Sequence, residues 1–264
     1  MNKSVIMVTI SLLLSAMAAV AVSSFAEDGK AYLENIKSTD YQTRVDTLKK
    51  IEQAAIINQQ LFDSIEANLL AGYKTIGNDR KKGDEMGWYC NALASSGDKK
   101  YLPTLRLVGS SSKVSIPATH CSQGADRLAF HRERVAAMRK PPIENMSAEE
   151  SLIYRMLKAS EPKSIQFAVK KTMRANVKNE RIYDAARDAL MAGYLEKVND
   201  AAHVDAMDWL CRCLAFSKLA KYRENLTQVR EKAQHWKLRD YAGRALIELG
   251  GSASAASKEQ TKKS

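Results

Sequence analysis

The sequence predicts an all-α protein built from two related halves. Three observations carry that expectation. The segment MGWYCNALASSGDKKY, Met86 to Tyr101, returns as MDWLCRCLAFSKLAKY, Met207 to Tyr222, pairing Trp88 with Trp209, Cys90 with Cys211 and Tyr101 with Tyr222 at a shift of 121 positions (211 − 90). Without gaps, residues 61–108 and 182–229 share 18 identities in 48 positions. Unrelated segments of ordinary composition match at about one position in fifteen or twenty. Finally, apolar residues recur at helical spacing along most of the chain, and the Val/Ile/Thr alternation of strands is absent.

The first segment reads as an address. Lys3 is followed by an apolar run, Val5 to Val22, broken only by Thr9, Ser11 and Ser15. Ser24-Phe25-Ala26 then offers small residues at the positions a signal peptidase reads. Residues 1–26 are therefore expected to be a signal peptide, with Ala19-Val20-Ala21 as a second cleavage site and an uncleaved anchor as the competing reading; the run barely reaches the length of a membrane span. Export places the mature chain in the periplasm or outside the cell. The formal charge of +11 becomes +10 (11 − 1) once Lys3 is removed.

Residues 27–138 form the first half. A short helix is expected over 30–37, and a second after Asp40, which can cap it, with Val45, Leu48 and Ile51 on one face. The third covers 58–76, where Leu61, Ile65, Leu69 and Tyr73 share a face. The fourth runs from Asp84 to Ser96 and stops at Gly97. The fifth starts near Lys99 and fades at 109–112, and the sixth begins around Pro117 and reaches Met138. Arg139-Lys140-Pro141-Pro142 opens a linker over 139–147, because two prolines cannot continue a helix. Ser147 and Glu150 have capping-box spacing. The second half, 148–249, is expected to hold helices near 148–159, 161–175, 179–197, 202–217, 219–232 and 236–249. The basic tail, 250–264, has little to bury and is expected to be disordered.

Six helices per half make three hairpins of about 40 residues each, close to the helix pair of a HEAT repeat. The segments RIYDAARDALMAGY and KLRDYAGRALIEL resemble second helices of such repeats. WYCNALASSGDKKYLPTL is similar to a motif of small exported bacterial HEAT-like proteins, armadillo-type α-solenoids. The resemblance implies a HEAT-like α-α superhelix of about six hairpins in two duplicated halves. It implies no particular activity.

The chemistry-bearing residues are sparse. Cys90, Cys121, Cys211 and Cys213 are an even set in a chain expected to be exported, which admits a disulfide between Cys90 and Cys121. The matching positions of the second half are Cys211 and Ala242, so that link is not a general feature of the repeat. The four cysteines read first as small buried residues, with that bridge as the second reading and a redox or metal role as the third; no His or further Cys lies at ligand spacing. Trp88 and Trp209 read as packing between hairpins, with an aromatic ligand platform as the alternative, and Gly72 and Gly193 as points where helices approach closely or end. His120, His131, His203 and His235 form no metal or triad pattern, and His120-Cys121 is the one His–Cys neighbour pair. Arg132, Arg134, Arg139 and Lys140 cluster where the halves join, and Lys170-Lys171 repeats Lys49-Lys50; on one surface these would contact an anionic partner. The expected function is an exported, non-enzymatic scaffold that binds a protein partner, as an adaptor, an inhibitor or immunity-type protein, or an envelope assembly factor. No cofactor, metal or catalytic residue is expected. Binding of an anionic polymer or envelope surface is the alternative, and a thiol redox role the third reading.

Overall fold

The computed structural model describes residues 29–54, 56–196 and 200–260. The expected signal peptide lies outside them. The described residues are helical, with no strand among them. In chain order the helices are α1 (29–35), α2 (Tyr41–Gln53), α3 (Gln59–Gly72), α4 (Arg80–Ser95), α5 (Leu102–Ser111), α6 (Ser115–Met138), α7 (Ala148–Leu157), α8 (Pro162–Arg174), α9 (Glu180–Gly193), α10 (Ala201–Phe216), α11 (Arg223–Lys232) and α12 (Trp236–Gln260). Short 3-10 turns occupy Tyr73–Thr75, Lys99–Tyr101 and Ala220–Tyr222. The bounds of α2, α3, α4 and α5 return 121 residues later in α8, α9, α10 and α11 (162 − 41, for the first pair), and the starts of α6 and α12 match in the same way.

Local chemistry sets these ends. Asp40 caps α2 through the Thr43 amide, and Asn58 caps α3 through the Leu61 amide. Asp79 accepts from the Lys82 amide at 3.1 Å, so α4 begins at Arg80, one turn before the expected Asp84. Asn179 and Asp200, the counterparts of Asn58 and Asp79, cap α9 and α10. Ser147 and Glu150 complete a capping box at α7. α12 runs on to Gln260, past the expected end at Leu249. From Ser252 to Gln260 the chain is Ser, Ala, Lys, Glu and Gln, with no proline to stop a helix.

The chain divides between Val135 and Ala136 into two compact units. In the first, α4 packs against α2, α3 and α5. Its Met86, Tyr89, Cys90, Ala92, Leu93 and Ala94 are buried, so the helix is apolar around most of its circumference, as a central helix must be. α2 contributes Val45, Leu48 and Ile51, and α3 contributes Leu61, Phe62, Ile65 and Leu69. In the second unit α10 takes the central place, against α8, α9 and α12. A Cβ on Gly72 would sit 2.5 Å from the Met86 sulfur, and one on Gly193 would sit 3.0 Å from the Met207 sulfur, so both glycines end their helices and admit the next one. Gly97 has φ +67 and lies against the backbone of Arg132, leaving no room for a side chain.

Both units carry the same clasp. The Tyr101 hydroxyl donates to Asp63 Oδ1 at 2.7 Å, and Lys100 Nζ bonds the same oxygen at 2.5 Å. Tyr222 donates to Asp184 Oδ1 at 3.0 Å, with Lys221 Nζ 3.1 Å away and also bonded to Glu180. Both tyrosines are buried. Lys100 and then Tyr101 hold the Asp63 carboxyl below its ordinary range. Desolvation opposes the same effect at Asp184, but Lys221 and Tyr222 outweigh it and its carboxyl is also lowered. Because the folded value lies below the unfolded one, this stabilisation is present above the usual aspartate value of about 4 and is lost as pH falls through the folded value. Asp63→Asn should flatten the acid limb of a stability–pH curve measured by urea unfolding. Tyr101→Phe, which keeps the ring, should cost about 1 kcal/mol at neutral pH.

Candidate interaction face

The second unit's central layer presents a run of alternating cations and aromatic rings. Lys170 of α8 lies over the Trp209 ring of α10, 4.7 Å from its centroid. Arg212, one turn beyond Trp209, lies over the same ring at 5.1 Å and over the Tyr241 ring of α12 at 6.0 Å. Arg244 lies over Tyr241 at 6.0 Å. These separations fall within cation–π range. Trp209 and Tyr241 are half-buried, while Arg212 and Arg244 are exposed. Helical spacing produces the ladder: Trp209 and Arg212, like Tyr241 and Arg244, sit three residues apart and share a face.

Arg212 is anchored from beneath. Its Nε donates to Asp208 Oδ1 at 3.0 Å and its Nη2 meets Oδ2 at 2.8 Å. Asp208 is buried, and desolvation raises its carboxyl above the ordinary value although Arg212 pulls it down. The guanidinium is thus held in place. The first unit has Lys49, Trp88, Asn91, His120 and Gln123 at the equivalent positions. Lys49 still lies over Trp88, at 5.3 Å. Asn91 and His120 share a hydrogen bond of 3.2 Å. One Lys–Trp contact is therefore common to both units, and the arginines belong to the second.

Each unit also has a groove at equivalent positions, with different residues at four of them. The first unit's groove, about 630 Å³, is walled by Tyr41, Arg44, Asn68, Glu85 and Tyr89. Arg44 there forms two bonds to Glu85, of 2.5 and 2.9 Å, and also donates to the carbonyls of Ser38 and Thr39. In the second unit's groove, about 450 Å³, the positions of Tyr41, Arg44, Asn68 and Glu85 hold Pro162, Ile165, Ala189 and Ala206.

The residues singled out from the sequence do not form one cluster. Lys170 joins the ladder. Lys171 pairs with Glu149. Arg134 is spent inside its own unit, donating to the Glu52 carbonyl. Arg132, Arg139 and Lys140 are exposed. Trp88 and Trp209 are only half-buried, so each is both packing and surface. Arg212, Tyr241 and Arg244 were not singled out from the sequence. The signal that exposes them is their alignment with Asn91, His120 and Gln123, where the second copy gains two cations and a ring.

Cys90 and Cys121 are joined by a disulfide that ties α4 to α6. Cys211 and Cys213 are free and buried. Burial pushes the Cys213 thiol up to about 12 and Cys211 higher still, the latter with help from Asp208. Neither is poised as a thiolate. His131 is buried beside Phe130, with a ring separation of 5.0 Å. Its Nδ1 and the Nε of Arg134 find no hydrogen-bond partner among the described residues. Burial, then Arg134 and Arg127, lower His131 to about 3. Among the described residues no group of three or more His, Cys, Asp and Glu side chains is placed to hold a metal, and no helix is long and apolar enough to cross a membrane. No protein-family model matches the chain, and no curated protein matches it.

Two measurements follow from these placements. The bridge spans a sequence separation of 31, so replacing Cys90 and Cys121 together by Ser should lower stability by about 2–4 kcal/mol in urea unfolding. His131 has a folded value below its unfolded one, so its contribution is complete above about pH 6.5 and declines as pH falls towards the folded value. His131→Leu should reduce the stability lost between about pH 6.5 and 4 by up to about 3 kcal/mol relative to the parent chain, at one pKa unit per 1.36 kcal/mol.

Proposed function

We propose that the chain is a duplicated, HEAT-like α-α superhelix that is exported and binds a protein partner without catalysing a reaction. The return of helix bounds, caps and the Asp–Lys–Tyr clasp at one shift supports the duplication. The Cys90–Cys121 disulfide fits an oxidising compartment and so supports export. One observation carries the binding role: the Lys170–Trp209–Arg212–Tyr241–Arg244 ladder on α8, α10 and α12. Trp, Tyr and Arg are the residues that dominate binding energy at protein interfaces. Here the central arginine is already fixed by Asp208, which reduces the ordering cost of association.

A protein partner suits this face better than a nucleic acid. Single strands bind by stacking bases on open ring faces. Two cations already lie over Trp209, and a base would have to displace one of them. The anionic-polymer reading keeps some support from Arg132, Arg139 and Lys140, which are exposed and carry no carboxylate partner among the described residues. Crosslinking in the native envelope, followed by partner identification, tests the proposal. Trp209→Ala with Arg212→Ala should leave the fold intact by circular dichroism and weaken capture by at least about tenfold, equivalent to 1.4 kcal/mol. Capture that ignores the double substitution and collapses between low and moderate salt would instead assign binding to scattered cations and a polyanion.

A further inference from the structure

A different cavity in the second unit carries its own chemistry. It lies where the turn after α6 folds against α7, and measures about 290 Å³. Met138, Pro142 and Leu152 line it with apolar surface, and Met138 is 40% exposed. Three cations, Lys140, Arg155 and Lys171, share it with one carboxylate, Glu149, for a net charge of +2 (3 − 1). Arg155 is locked in the wall: its Nη1 donates to the carbonyls of Ala137 and Lys140 at 3.2 and 3.1 Å, and its Nη2 to that of Pro141. The same three bonds hold the proline turn in place. Lys171 is paired with Glu149. Lys140 is exposed and has no carboxylate partner among the described residues.

Size and charge narrow the occupant. Pockets for drug-sized ligands begin at about 300 Å³, so this cavity takes one short apolar group, and its excess positive charge asks for one anion beside that group. Lys140, Pro142 and Glu149 are exposed, so the mouth is open and a chain can leave through it. We infer that the cavity captures the C-terminal residue of a polypeptide, with an aliphatic side chain against Met138, Pro142 and Leu152 and the terminal carboxylate against Lys140. A C-terminal residue is the smallest polypeptide unit that carries both groups, and its chain leaves in one direction only. An internal Asp or Glu brings the carboxylate on a polar arm and must thread the chain out twice. Capture of a terminal carboxylate is a known mode of peptide recognition.

The test follows the Met138 methyl resonance in the full chain labelled at methionine methyls, assigned with Met138→Leu. The probe is an N-acetylated tetrapeptide ending in leucine with a free carboxylate. The peptide is expected to shift the Met138 signal in a saturable way. Its C-terminal amide and Lys140→Glu should each weaken binding by at least about tenfold. Trp209→Ala should leave the titration unchanged, so failure of the ladder as an interface and failure of this site are separable. Equal binding of acid and amide, indifference to Lys140→Glu, or the absence of any shift overturns the inference. So does a shift by 4-methylpentanoate as strong as that by the peptide, which would make the ligand a free acid.

Discussion

A tyrosine ring that is buried to its last carbon must still find an acceptor for its hydroxyl, and much of this architecture follows from that requirement. Tyr101 and Tyr222 are almost wholly inaccessible, 1% and 0% exposed. An unbonded hydroxyl there would cost about 1–3 kcal/mol. Asp63 and Asp184, each one helix away, supply the acceptor while keeping their carboxylates partly in water. The geometry sets the register of α3 against the turn that starts α5, and of α9 against the turn that starts α11. With those registers set, α4 and α10 are packed against three helices each, and the sides they turn to those neighbours are largely apolar.

What the two units do with that shared frame differs. The first is tied by a disulfide, contains a half-buried Arg44–Glu85 pair in its groove, and offers Asn and His on the layer where the second offers Arg and Tyr. The second has two free cysteines, apolar side chains at the matching groove positions and the cation–aromatic ladder. Surface and groove positions tolerate such exchange because they do not set register, whereas the clasp, the helix caps and the helix-ending glycines do. One unit holds the disulfide and the paired groove residues, and the other holds the cation–aromatic ladder.

The charged residues show why composition is a poor guide to where a cation ends up. A lysine's position in the sequence says nothing about whether its ammonium meets a ring, a carboxylate or water. Of the neighbours Lys170 and Lys171, one lies over Trp209 and the other pairs with Glu149. Arg134, two residues from Arg132, turns inward to a carbonyl. Neighbours in a helix point in directions about 100° apart, so a basic run divides among surfaces as soon as it becomes helical.

The sequence alone determined the helical class, most helix positions, the two-proline turn, the capping box at Ser147 and Glu150, and the 121-residue correspondence. These depend on periodicity, local hydrogen bonding and internal comparison, all of which act along the chain. Tertiary structure decided the rest: that Cys90 and Cys121 meet while Cys211 and Cys213 stay apart, that Arg155 locks the turn after α6, and that Lys170, Trp209, Arg212, Tyr241 and Arg244 line up across three helices. Each of these joins residues far apart in sequence or turns on the direction a side chain takes. Direction is settled only when neighbouring helices exclude the alternatives.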